Sequence, residues 1–209
     1  MFKTSCLWAI ALVMVSMSAC KNKSRNDQQH VIEAEFQVDS SLLSKQAYLD
    51  SSLNFKIKAP VAFVKLRSSV IDSMVYQNNS EVYKNTKLLF AYSHPSESWT
   101  MLGLDVTKVD AKVFLRLKTD YQSLLNKDSV WTNIQLQTFE YKSFSIDQYV
   151  LQNAVNINFM LVCYNSTIKE KPLFVLIYYI KQSELQQTIK SVESSIGSLS
   201  YIILKQKKL

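Results

Sequence analysis

Polar and apolar positions alternate with a period of two over much of this chain, and with a helical period in three places. Leu53, Phe55 and Ile57 alternate with Asn54, Lys56 and Lys58, which predicts a half-buried strand stopped by Pro60. Asp50-Ser51-Ser52 before it reads as a turn, and the domain begins with Ser44 to Leu49. Over Val61 to Gln77, Phe63, Leu66, Val70 and Met74 fall at helical spacing, so a helix is expected there, followed by a loop at Asn78-Asn79-Ser80. Lys87 to Ser93 and Trp99 to Lys108 read as a strand pair around His94-Pro95-Ser96-Glu97-Ser98. Asp110 can cap a helix running to about Asn126, with Val113, Phe114, Leu117, Tyr121 and Leu124 as its inward stripe.

Three strands follow: Ile134 to Tyr141, Gln148 to Leu151 with its continuation Val155 to Tyr164, and Leu173 to Ile180. The polar segment Asn165 to Lys171 joins the last two as a hairpin. Leu173 to Ile180 is apolar on both faces, which is the mark of a central strand. The last element is a helix. Ser183 and Gln186 have capping-box spacing, Leu185, Ile189, Val192 and Ile196 form the apolar stripe, and Gly197 supplies the stop. Hairpin connections imply a mainly antiparallel sheet, and the doubly apolar strand implies cover by helices on both faces. The expected fold class is α+β, a single domain over residues 41–205.

Ahead of this domain stands a different pattern. Lys3 gives a positive start, Cys6 to Met17 an apolar run, and Ser18-Ala19 the small residues that a signal peptidase needs, immediately before Cys20. The apolar run is shorter than the roughly 20 residues that a spanning helix requires. Ordinary cleavage after Ala19 would put Met17 at the third position before the cut, a poor fit, although cleavage after Ser18 is acceptable. Met17-Ser18-Ala19-Cys20 resembles the bacterial lipobox, with Met in place of the usual Leu. The resemblance implies removal of residues 1–19 and lipidation of Cys20, with residues 20–40 as a polar tether. A diacylglyceryl thioether plus a third chain meets the need for more than one acyl chain in stable anchoring. Lys21 is not the Asp that commonly retains such proteins at the inner membrane, so the outer membrane of a bacterial envelope is favoured.

The net charge of +7 on 209 residues changes little. Basic residues cluster only at Lys21, Lys23 and Arg25 and at Lys205, Lys207 and Lys208, without the aromatic-interleaved stripe of a nucleic-acid surface. No nucleic-acid partner is expected. With Cys6 removed and Cys20 lipidated, Cys163 is the one cysteine left, so the domain has no internal disulfide. It shares a face with Val155, Ile157, Phe159 and Leu161 and is expected to be a buried apolar residue.

Tyr48-Leu49-Asp50 with Leu53 to Pro60, and Tyr178-Tyr179-Ile180 with Leu185 to Leu199, resemble the opening hairpin and the closing strand and helix of PsbP-like and Mog-type domains. The resemblance implies an α/β/α sandwich. It implies no shared catalytic residue, because members of that family more often assist or bind other proteins than catalyse.

The chemistry of the residues points the same way. His94 is the domain's one histidine and falls in a turn; Glu97 beside it is too few ligands for zinc. Two glycines exclude a Rossmann fingerprint and a Walker loop, and no Gly-x-Ser-x-Gly elbow occurs. Asp105, Glu140 and Asp147 read as isolated, solvated acids. No catalytic, cofactor or metal residue is expected. Trp131 first, and Trp99 after it, are the candidate residues of an exposed interaction patch. The expected function is a non-enzymatic, membrane-anchored binding or accessory domain with an envelope protein as partner. The alternative is a small-ligand or lipid carrier with a pocket between sheet and helix.

Overall fold

The structure is a computed structural model that describes residues 32–66, 85–96, 99–119 and 132–202. Its first elements are β1 (Leu43–Asp50) and β2 (Phe55–Pro60), which form the expected hairpin. The turn is held by Asp50, whose Oδ1 accepts from the Ser52 and Leu53 amides at 2.9 and 3.0 Å. Asn54 takes the left-handed φ of 55° that asparagine tolerates. Then come β3 (Val64–Lys65), β4 (Lys87–Ser93), β5 (Thr100–Asp105) and the helix α1, described over Ala111–Thr119. Asp110 caps α1 by accepting from the Lys112 amide at 2.9 Å. The chain continues with β6 (Asn133–Tyr141), β7 (Phe144–Gln152), β8 (Asn156–Asn165), β9 (Ile168–Lys181), α2 (Leu185–Gly197) and β10 (Ser200–Tyr201).

Seven strands form one antiparallel sheet in the order β3-β4-β5-β9-β8-β7-β6, and β1-β2-β10 form a second. The molecule is therefore sheet-dominated, mostly antiparallel, with two helices among the described residues. The doubly apolar strand, β9, is the middle one of the seven, as its pattern predicts. Phe174, Leu176, Tyr178 and Ile180 enter one core with Phe55 and Ile57 of β2 and Val192 and Ile196 of α2. Val175 and Ile177 enter the other, with Leu102, Leu104, Val162 and with Phe114 and Leu117 of α1. Cys163 lies in the first core, fully buried.

Several expectations are corrected. Residues 32–39 belong to the domain and not to the tether. Glu140 exchanges backbone hydrogen bonds with Ile32 and Ala34 at 2.8 and 2.9 Å, and Phe36 packs edge-on against Tyr141 with ring centres 4.9 Å apart. This strap covers the β6 edge, which would otherwise offer an unpaired template. Val64–Lys65 is a strand and not the start of a helix; the rest of that expected helix, and the loop after it, lie outside the described residues, as do Tyr121 and Leu124. Gln148 to Tyr164 is not one strand with a continuation. Asn153 Oδ1 accepts from the Val155 and Asn156 amides at 2.9 and 2.6 Å, and this turn folds β8 back on β7.

No capping box forms at α2: a 3-10 turn over Gln182–Glu184 precedes the helix, and Glu184 at its N-cap makes no side-chain capping bond. Gly197 stops nothing by a left-handed φ, because no glycine has one. It makes room. A Cβ there would sit 2.6 Å from Val38 Cγ2 and 2.9 Å from Phe36 Cβ, so the strap crosses the helix end where only glycine fits.

Candidate functional site

A groove of about 320 Å³ opens between α1 and the hairpin end of the large sheet. Ala111, Phe114, Leu115 and Lys118 form the helical wall; Ser145, Asp147 and Tyr164 form the floor; Lys169, Glu170 and Pro172 close the far side. The far side exists because of a break in register. Between the pairs Tyr164–Pro172 and Asn165–Ile168, β8 advances one residue while β9 advances four. Lys169 to Lys171 therefore bulge out of the ladder. Pro172, which has no amide hydrogen to pair, lies between this break and a second, smaller one, since Cys163 pairs with Phe174.

The floor is polar by strand alternation. Phe139, Tyr141, Phe144 and Ile146 enter the first core, which turns Thr138, Glu140, Ser145 and Asp147 towards α1. Asp147, 2% exposed, is corrected from a solvated acid to a buried one. Its Oδ1 accepts from Lys118 Nζ at 2.9 Å and from Thr138 Oγ1 at 2.6 Å. Burying a carboxylate is tolerable only with such partners. Glu140 pairs in turn with Lys169.

The charge of Asp147 is felt around it. Burial pushes the Tyr149 and Tyr164 phenols up, and the negative charge of Asp147 adds to both. Burial likewise holds the Cys163 thiol well above its ordinary value, with Asp147 again adding, so this cysteine stays a protonated core residue.

Of the aromatic patch, Trp99 is 3% exposed and packs on Phe63 with ring centres 4.3 Å apart, so it is a core residue and no part of an exposed patch. Trp131 lies outside the described residues. His94 stacks on Trp99 with ring centres 6.1 Å apart. Asp105 holds the turn after β5, its Oδ1 accepting from the Thr107 amide at 2.9 Å. Among the described residues no three His, Cys, Asp or Glu side chains gather as a metal site would need, and no helix is long and apolar enough to cross a membrane.

Sequence reasoning missed Lys118, Ser145, Asp147, Tyr164, Lys169 and Glu170 as a group. Alternation alone places Ser145 and Asp147 on one face, but joining them to Thr138 and Glu140 needs the register of the β6–β7 hairpin. That turn, Lys142-Ser143, carries no Asn-Gly or Gly signal.

No family model matches the chain, and no curated protein matches it. Solved structures similar to the chain at low identity include the following two. One is a crystal structure of a protein from Bacteroides thetaiotaomicron, 8% identical, with a TM-score of 0.40 over 77% of this chain and 50% of the other. The chain thus matches half the length of that protein. The other is the solution structure of cyanobacterial PsbP (CyanoP) from Synechocystis, 8% identical, with a TM-score of 0.42 over 90% of this chain and 99% of the other.

Proposed function

We propose that this chain is a lipid-anchored, non-enzymatic binding protein of the bacterial envelope, held through Cys20 on the outer membrane, and that the groove beside α1 is where it binds. The observation that carries the binding reading is the buried Asp147, held by Lys118 and Thr138 at the floor of an open groove. A polar set fixed in this way is preorganised, and preorganisation lowers the ordering cost of binding. The geometry moves the emphasis from the protein partner to the alternative reading, a ligand pocket between sheet and helix. The charged floor does not suit a lipid tail. The PsbP-like α/β/α sandwich is the fold we assign: the two segments that carry the resemblance become the β1–β2 hairpin and the β9–α2 pair, which share one core.

Two measurements test this reading separately. Cys20→Ala should abolish fatty-acid labelling and move the protein from the membrane to the soluble fraction; retention on the membrane without label overturns the anchor. A photo-crosslinking residue at Leu115, which lines the groove and is 61% exposed, should give adducts in intact cells that the same residue at Lys190 on α2 does not give. Adducts at neither position, or equally at both, overturn the groove as the binding site.

A further inference from the structure

Glu170 apart, the charges of the groove come in pairs that are already closed. Lys118 Nζ meets Asp147 Oδ1 at 2.9 Å, and Lys169 Nζ meets Glu140 Oε1. Each ammonium carries three N–H donors and uses one on its carboxylate, on side chains that remain 44% and 53% exposed. Glu170, exposed, adds an acceptor at the rim. Ser145 stands apart. It is 6% exposed, lines the groove, and its hydroxyl has no hydrogen-bond partner among the described residues. Its Oγ is not among the fully buried atoms that lack a partner, so it opens onto the groove, where a ligand hydroxyl can take the place of water.

Resting on the reading of the groove as the binding site, the geometry points to its ligand class: a neutral, hydroxyl-rich molecule, in effect a sugar ring. A cation entering here meets Lys118 and Lys169, and an anion meets Asp147, Glu140 and Glu170. A cation finds an unpaired carboxylate only in Glu170, exposed at the rim, where a single ion pair contributes little; an anion finds only the lysines' remaining N–H groups, beside the carboxylates they already hold, and taking Lys118 over in full leaves Asp147 buried without its cation. A zwitterion faces the same exchange at both of its ends. A polyol opens nothing. Each of its hydroxyls both donates and accepts, so it can take up the free lysine N–H groups, the Glu170 carboxylate and the Ser145 hydroxyl together. Its C–H face finds apolar surface in Leu115 and the Tyr164 ring. The groove's volume, about 320 Å³, stands at the small end of ligand sites and suits a compact molecule.

The test is a titration of the mature chain carrying Cys20→Ala, followed by NMR at the backbone amides of 111–118, 145–147, 164 and 168–171. The neutral probes are glucose, galactose, N-acetylglucosamine and maltose; the charged probes are acetate, inorganic phosphate and n-butylammonium. At least one sugar should shift these amides saturably. Ser145→Ala should weaken that binding by about 2- to 10-fold, the worth of one neutral hydrogen bond, and Lys190→Ala should leave it unchanged. Groove shifts with the charged probes alone overturn the inference, as does a sugar that binds elsewhere with these amides unmoved. Silence towards every sugar while Leu115 still crosslinks in cells overturns the ligand class and leaves the groove standing; silence in both overturns both.

Discussion

The large sheet presents two faces that meet the same demand, burial, in different ways. On the face towards β2 and α2, hydroxyls that enter the core are used. Ser195 Oγ bonds the Lys58 carbonyl at 2.6 Å and the Tyr178 hydroxyl at 2.9 Å, Ser198 Oγ accepts from the Lys58 amide at 2.8 Å, and Tyr141 donates to the Gly197 carbonyl at 2.6 Å. On the face towards α1, the middle rows are apolar but both ends are not. At the hairpin end Ser145 opens onto the groove with no protein partner for its hydroxyl among the described residues. At the other end Thr100 Oγ1 and Asn158 Oδ1, flanking Tyr179 in register, are buried without one among the described residues. Sheet and helix close on each other in the first case; in the second the sheet is left with polar capacity unused. Unused capacity costs stability, which a folding core avoids and a binding surface tolerates.

Truncation should therefore be felt most on the closed face. Phe174 stacks on Phe55 with ring centres 3.9 Å apart and is fully buried between the two sheets. Phe174→Ala should cost about 4–5 kcal/mol, the upper part of the range for aromatic truncation, because neither sheet can collapse into the space. Phe114→Ala on α1 should cost about 3 kcal/mol, because its cavity opens into the groove and can fill with water. Urea denaturation of both variants checks this. Equal costs would mean that the groove side is packed as firmly as the other.

Close tolerance on the first face gives the next effect. Gly197→Val puts carbon atoms where Val38 and Phe36 already stand and should cost about 1–3 kcal/mol by overpacking. Its signature is local as well as global: hydrogen exchange at the Ala34 and Glu140 amides should quicken as the strap lifts from β6. Unchanged exchange with a full loss of stability would show that the strap is not what the glycine accommodates.

The same contrast explains what was readable beforehand. The central place of β9 follows from eight residues apolar on both faces, and the β1–β2 hairpin from a clean alternation ended by proline. These patterns are local, and burial acts on them directly. The Asn153 turn was hidden because asparagine does there, through its side chain, what glycine usually signals. The Lys142-Ser143 turn was hidden for a related reason: Lys142 takes a φ of 53° and is held by bonds from Nζ to the Gly197 and Leu199 carbonyls at 3.0 and 2.8 Å. A tertiary contact to a helix end 55 residues away stabilises that conformation, and the same ammonium offsets the negative end of α2. The groove inherits this opacity. Asp147 and Lys118 meet only once the β6–β7 register and the seat of α1 are fixed, so their pairing has no trace in spacing.

The smallest effect is the sharpest comparison, because it makes one chemical change on both faces. Ser195→Ala removes the hydroxyl shared by the Lys58 carbonyl and the Tyr178 phenol and leaves both facing a methyl group; it should cost about 1–3 kcal/mol. Ser145→Ala removes a hydroxyl that opens onto the groove and has no partner among the described residues to strand, and it should change stability by no more than about 0.5 kcal/mol in either direction. The pair is measured under identical conditions by urea midpoint at constant slope, so errors of extrapolation cancel. A loss at Ser145 as large as that at Ser195 would mean that its hydroxyl is already satisfied within the folded protein. The two faces would then be alike, and the groove would have one group fewer to offer a ligand.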